Sequence, residues 1–465
     1  MSTDVQHQTP SEEDFAEADE LVDRIQQQLA PLLQEQLART TGSVSEPDER
    51  AIAGKLLEGV LDSAIKESAV QGRPFLDPGK EWAVKQAVMA EMFGLGRLEP
   101  LLADEAVENI DIIGNEPVWL SYSDGRVMRG PRIASTDEAL IRWLQRVASR
   151  RGRTEHTITN ARPLLNMELP GGERLAAVIG VSDRPHVSIR RPRLPEGDLG
   201  MLHDRGMISL AQLALLRSAV RAEKNVVISG RQNVGKTTLL RALCWEIPAT
   251  ERFATLETEF ELGLHRYRDR FPAVVAFEER EGNSERFVDG RPVGGIDLPR
   301  LVWQSLRMHT TRTIVGEVRG REILPMLNAL SSGGAGSLST VHARSAVQAI
   351  DRMVLLCLEA NSAWTPEFSQ NMIAQTIDLI VHVDLVADRK GPERSISEIV
   401  TIEPGEHGHC ARTCLFRRPD GDLGTRSVPT GHLPTDIADY ERAGFDRAWL
   451  TGHGDGDWAS GGVKP

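Results

Sequence analysis

The sequence predicts an α/β fold with a mostly parallel central sheet over residues 208–405, preceded by a smaller α+β domain over residues 51–193. Three observations carry this. From about 208 to 403, short β-prone runs alternate with stretches of helical periodicity, the pattern of a parallel sheet covered by helices. One of those runs, Asn225–Ser229, passes through a glycine-bearing turn into a helical stripe at Leu239, Leu240, Leu243 and Ile247. Upstream, the runs Ile110–Ile113 and Val118–Leu120 sit close together and are followed by the hairpin-turn pair Asp124-Gly125.

In chain order, residues 1–50 form an acidic extension, partly disordered or helical. Leu21, Ile25, Leu29, Leu33 and Leu37 fall at helical spacing, with Pro31 a kink. That stripe reads either as a solvated amphipathic helix or as a docking helix for a partner. Ile52, Leu56 and Val60 open a second helix that leads into the globular part. Within the α+β domain, Leu140–Val147 reads as helix and Leu169–Gly172 as a turn between strands. The run Arg191–Gly197 breaks both periods and opens a linker over 194–207. Residues 406–465 are rich in Gly and Asp with weak periodicity, and read as a partly disordered C-terminal extension.

The 465 residues carry a formal net charge of −13, which argues against a bulk nucleic-acid binder, because phosphate neutralisation needs clustered Lys and Arg. No stable nucleic-acid partner is expected, although Arg184–Arg193 is locally basic. The 4 cysteines are irregularly spaced, as in a reduced cytosolic chain. The acidic N-terminus does not read as a signal peptide, and no apolar run approaches the ~20 residues of a spanning helix. The expected location is therefore cytoplasmic, with membrane contact made through partners. His407, His409, Cys410 and Cys414 are metal donors by type, set in a Gly-rich segment.

The turn after Asn225–Ser229 reads Gly230-Arg231-Gln232-Asn233-Val234-Gly235-Lys236-Thr237-Thr238. This is G-x-x-x-x-G-K-[ST] between a strand and a helix, the context that gives the motif its meaning. Gly230 and Gly235 permit a tight backbone path whose amides converge on phosphate oxygens, and the helix N-terminus adds partial positive charge. Lys236 can reach the β- and γ-phosphates, and the Thr237 hydroxyl can ligate Mg2+. ATP and Mg2+ are the implied ligands.

Hydrolysis also needs a carboxylate to orient water and cations to neutralise developing charge. Thr313–Val315 is a β-prone run leading to Glu317, the best water-orienting group or general base. Phe253–Leu262 places Glu257, Glu259 and Glu261 at the end of another strand. Glu257 and Glu261 can serve Mg2+ directly or through water, or can belong to a solvated acidic loop. Ser337–Ala343 reads as a strand ending in His342, a ligand contact or a structural histidine. Arg307 and Arg352 are γ-phosphate contacts or ordinary surface arginines.

These four segments, in this order, resemble the Walker A, Asp box, Walker B and His box of type II/IV secretion ATPases. The CpaF-like branch, which powers Tad/Flp pili, is the most similar. The resemblance runs from about Met92 to Glu403 and includes Phe93–Asp104, similar to the opening of that branch's N-terminal domain. It implies a RecA-like nucleotide domain in a homo-hexamer that moves an inner-membrane platform protein. By the same resemblance Glu317 is the catalytic glutamate, Glu257 the Asp-box acid near the metal, and His342 a γ-phosphate sensor. Arg307 and Arg352 match the family's arginine positions, and Arg174 and Arg190 are N-domain candidates. The chain departs from the family pattern at Thr258, at Gly333–Ser337, at His309–Thr311 and at Asn166–Glu168, which bears on turnover and coupling. Two other readings stand beside the motor: a catalytically weak, nucleotide-gated assembly protein, and a conjugation or DNA-translocation motor.

Overall fold

The computed structural model describes residues 12–39, 45–70, 78–151, 157–191, 197–280, 282, 293–388, 391–419 and 426–452. The chain divides into two compact units, Met1–Arg193 and Leu194–Pro465.

The first unit opens with three helices, α1 (Glu12–Ala38), α2 (Glu46–Val70) and α3 (Pro78–Phe93). Ile25, Leu29 and Leu33 of α1 are buried with Ala53, Leu57 and Leu61 of α2 and with Val84 and Val88 of α3. The stripe read as a solvated or docking helix is therefore a core stripe. Its apolar partners are supplied by two helices whose own periodicity is weaker. A short α4 (Leu98–Ala103) leads into β1 (Val107–Ile113), β2 (Pro117–Tyr122), β3 (Val127–Arg132), α5 (Asp137–Arg151), β4 (Leu164–Glu168), β5 (Arg174–Val178) and β6 (His186–Arg190). The sheet order is β3-β2-β1-β6-β5-β4, and every pair is antiparallel. Alternate residues such as Ile110, Ile112, Leu175 and Val187 turn to one face, where Leu140, Trp143 and Leu144 of α5 cover them. Gly125, at φ +87°, supplies the left-handed turn between β2 and β3.

The second unit runs α6 (Leu199–Asp204), α7 (Leu210–Arg221), β7 (Val226–Gly230), α8 (Lys236–Cys244), β8 (Phe253–Glu257), β9 (Val275–Glu278), α9 (Leu298–Ser305), β10 (Arg312–Val315), α10 (Ile323–Ser331), β11 (Leu338–His342), α11 (Ala346–Ala360), α12 (Pro366–Thr376), β12 (Leu379–Asp388), β13 (Gly391–Pro404), β14 (Cys410–Arg417), β15 (Val428–Pro429), α13 (Ile437–Arg442) and α14 (Ala448–Thr451). Its sheet order is β15-β14-β13-β12-β7-β11-β10-β8-β9. The six strands from β12 to β9 are parallel, and β13, β14 and β15 add an antiparallel flank. Every residue of β7 is buried, because helices cover both faces. Val226 and Ile228 pack with α7 and α8, and Val227 with α10, α11 and α12. This is the doubly covered, mostly parallel sheet of a RecA-like α/β domain.

Two segments differ from their expected character. The stretch read as linker carries α6, whose Leu199 and Leu202 are buried in the main core. The stretch read as an extension carries β14, β15, α13 and α14, and Tyr440, Phe445 and Leu450 are buried in that same core. Both segments are too short and too Gly-rich to show a period, so their few apolar anchors were invisible to pattern reading. Lys224, at the foot of β7, bonds Asp436 at 2.5 Å and Asp439 at 2.7 Å and so ties α13 to the phosphate-loop strand. Leu450→Ala is expected to destabilise this unit by about 2–5 kcal/mol. Tyr440→Phe should cost far less, since the Tyr440 hydroxyl has no hydrogen-bond partner among the described residues. Urea unfolding followed by tryptophan fluorescence checks both, and an unchanged midpoint for Leu450→Ala would show the segment to be a loose tail.

Candidate active site

Register decides what meets at the carboxyl edge of the parallel strands. Gly230 pairs with His342 of β11 on one side and with Val383 of β12 on the other. Val315 pairs with Leu256 of β8 and with Ser339 of β11. The residues just past these pairs, 231–235, 257–262 and 316–317, therefore emerge side by side. At Gly230 a Cβ would stand 2.5 Å from the Val383 carbonyl oxygen, so only glycine lets the chain leave the sheet there. Asn233 lies at φ +61° and Gly235 at φ +100°, two left-handed residues in one short turn. Gly235 caps α8 and offers no side-chain acceptor, which leaves the first helix amides for an anion.

Lys236 is buried and donates to the Arg231 carbonyl at 2.8 Å and to His342 Nδ1 at 3.2 Å. His342 Nε2 lies 2.8 Å from Glu317 Oε1. Lysine, histidine and glutamate from three separate motifs thus form one contiguous row. Burial pulls the Lys236 ammonium below its ordinary range, opposed by the carboxylates of Glu317 and Glu261. Burial and the Lys236 charge together lower His342, against Glu317.

The Thr237 hydroxyl donates to Glu261 Oε2 at 3.1 Å. Glu257, the acid expected beside the metal, has a different neighbourhood. Its Oε1 accepts from the amides of Glu261 and Leu262 at 2.8 and 2.7 Å, and its Oε2 is buried with no hydrogen-bond partner among the described residues. Burial outweighs those two amides and raises Glu257 to about 8. The oxygen donors of Thr237 and Glu261 suit a hard cation such as Mg2+, with Glu257 behind them on the backbone.

Three comparisons bear on this arrangement. The family model described as "Type II/IV secretion system protein" matches residues 95–415. A Mycobacterium tuberculosis protein named for conjugal transfer is 31% identical over 330 residues, covering 69% of this chain and 88% of the relative. The type IV secretion system protein PtlH of Bordetella pertussis is 30% identical over 337 residues, covering 66% of this chain and 94% of PtlH. The chain belongs to the type II/IV secretion system protein family.

Among solved structures, this secretion-family chain is similar to the VirB11 ATPase of the Brucella suis type IV secretion system, in complex with sulphate. That match is 26% identical, covers 67% of this chain and 97% of VirB11, and has a TM-score of 0.34. The Legionella pneumophila ATPase DotB gives 17% identity, 67% and 81% coverage and a TM-score of 0.48. The family assignment rests on the sequence matches. With its phosphate loop and acidic partner strand, this member is an ATPase of the secretion family, and it binds nucleotide.

Other residues of the secretion ATPase fall less centrally. Arg352 of α11 lies 4.0 Å from Glu359, and its charge helps to depress His342. Arg307 is exposed on the turn after α9. Arg174 and Arg190 face each other across β5 and β6 of the first unit. Among the described residues no group of three or more His, Cys, Asp or Glu is placed to hold a metal. Instead His409 Nδ1 pairs with Gln370, and Cys410 donates to the Gln370 carbonyl; the His407 side chain lies outside the described residues.

Sequence reading passed over two supports. Arg241 of α8 donates to the carbonyls of Glu261 and Leu262, so this dipeptide is held by Arg241 on its oxygens and by Glu257 on its amides. Arg394 of β13 donates to the Asn233 carbonyl at 3.1 Å and braces the phosphate loop from the flank. Neither arginine carries a spacing signal, since each acts on backbone oxygens far away in sequence.

Glu257→Gln keeps an acceptor for both amides and replaces a carboxyl already held neutral, so Mg2+-dependent nucleotide binding should stay within about threefold of wild type. Glu261→Gln should weaken the dependence on Mg2+ by about tenfold. Titrating Mg2+ against a fluorescent nucleotide checks the pair, and a larger loss for Glu257→Gln would reverse the two roles.

Proposed function

We propose that this secretion ATPase is the motor of a pilus-assembly machine in the CpaF-like, Tad/Flp branch. It works as a homo-hexamer on the cytoplasmic face of the membrane and couples MgATP turnover to movement of an inner-membrane platform protein. The observation that carries hydrolysis is the row Lys236–His342–Glu317 beside a glycine-built loop. The branch is supported by Phe93–Asp104, the opening similar to that of CpaF-like N-terminal domains.

In the reaction ATP and water become ADP and phosphate. Loop amides of residues 231–238 and the Lys236 ammonium hold the β- and γ-phosphates. Thr237 and Glu261, with Glu257 beneath them, would hold Mg2+. When bound, Mg2+ neutralises charge on the β- and γ-phosphate oxygens. Glu317 orients the attacking water and accepts its proton. Arg352 and Arg307 neutralise charge that develops on the transferring group. Closing and opening of the nucleotide site around this chemistry does the mechanical work.

A second reading is a conjugation or type IV secretion motor, and the names of the mycobacterial and Bordetella relatives favour it. The net charge of −13 speaks against direct DNA handling. Steady-state turnover of the purified chain should vanish in Lys236→Ala. In Glu317→Gln it should fall roughly 10²–10³-fold while ATP binding persists, the scale of losing one electrostatic stabiliser. ATP affinity without turnover, even with the platform protein's cytoplasmic domain present, would favour a nucleotide-gated assembly protein. Stimulation by DNA rather than by that domain would favour conjugation.

A further inference from the structure

Building on the ATPase reading, we propose that His342 is a positioning residue: a neutral imidazole, fixed in one tautomer, that links the phosphate-binding lysine to the water-orienting glutamate. The ammonium of Lys236 has three donors and no lone pair. Its 3.2 Å bond to Nδ1 therefore requires that nitrogen to be bare. The ring proton then sits on Nε2, which faces Glu317 Oε1 at 2.8 Å, an approach that is attractive only with a proton on the nitrogen. The Gly230 carbonyl also faces the ring and favours its protonation. The ammonium, which cannot accept, decides between the two tautomers.

The donor count gives this bridge a purpose. Lys236 uses one N–H on the Arg231 carbonyl and one on His342, which leaves the third for a phosphate oxygen. Glu317 uses Oε1 on the imidazole and keeps Oε2 for water. With a neutral ring as spacer, ammonium and carboxylate stay apart and do not collapse into an ion pair that would occupy both. The groups around the ring agree with a neutral state. Lys236 from α8 and Arg352 from α11 oppose a second ring proton, Glu317 after β10 and the Gly230 carbonyl of β7 favour it, and burial tips the balance against it. Protonating Nδ1 would break the bond to Lys236.

Nitrogen-15 NMR of the full-length protein, labelled at histidine and assigned with His342→Gln, reads the ring directly. The expected signature is a bare Nδ1 and a protonated Nε2 that persist below about pH 6.5, where a free imidazole charges. A doubly protonated ring at neutral pH, or the opposite tautomer, overturns the proposal. In turnover assays His342→Ala should lower kcat by about 10²-fold with KM for ATP little changed. His342→Gln offers one acceptor and one donor, so it should restore most of kcat and abolish the acidic limb of the wild-type profile. A glutamine variant as slow as alanine, or one that keeps the acidic limb, also overturns it. If wild type itself fails to turn over ATP, the ATPase reading falls, while the nitrogen spectrum still decides the bridge.

Discussion

Parallel pairing around β7 places everything else. β8 and β10 end at or one residue past Leu256↔Val315, β7 and β11 end together at His342↔Gly230, and β11 runs on past its Ser339 pair with Val315 to carry His342 to the edge. Side-chain direction alternates along a strand, so a slip of one residue would turn His342 away from Lys236. That register is over-determined. Both faces of β7 are buried, and a slip would exchange the sets that pack on α8 and on α11. At the opposite end of β10, buried Arg312 grips Glu251 at 2.6 and 3.0 Å and the Val220 carbonyl at 2.7 Å, fixing where the strand begins. Removing one partner of such a buried pair leaves an uncompensated charge, so the pair resists any change of register.

On this frame the site holds opposite charges near one another without letting them pair off. Lys236 is buried, and burial pulls its ammonium down, while the carboxylates of Glu317 and Glu261 oppose that pull. The His342 ring separates Lys236 from Glu317, and the Thr237 hydroxyl engages Glu261. Beneath the loop, Ser229 meets His382 Nδ1 at 2.8 Å, and burial pushes His382 down to about 4, so this second histidine stays neutral and adds no charge to a phosphate site. Positive charge near the loop therefore comes from Lys236, the helix end and nearby arginines, which is where phosphate oxygens can reach it.

Much of this was legible in the sequence because it is local. G-x-x-x-x-G-K-T encodes a turn, and the two glycines are required by a close approach at 230 and a left-handed φ at 235. Alternation of strands and helices gave the class, and the apolar stripe of the first helix gave its helical period but not the neighbours that bury it. The features that were not legible are those that depend on long-range partners. The helical bundle around Ile25 and Leu29 needs α2 and α3, whose periodicity is weak. The C-terminal anchors Tyr440, Phe445 and Leu450 stand in a polar, Gly-rich stretch in which single apolar residues carry no period.

The acids after β8 show why a motif can mark a segment without assigning its members. Glu257 and Glu261 are alike in charge and reach, and spacing alone cannot rank them. The fold ranks them through backbone hydrogen bonds. Glu257 is the last residue of a fully buried strand, so its carboxyl points into the protein and takes the amides of Glu261 and Leu262. Arg241, one turn along α8 from Thr237, takes the carbonyls of the same two residues. With amides and carbonyls both engaged, this dipeptide is held in a single orientation, and the Glu261 side chain is directed outward to Thr237. The acid that reaches the loop is thus chosen by the acid that does not, and that choice depends on an arginine whose role only tertiary structure reveals.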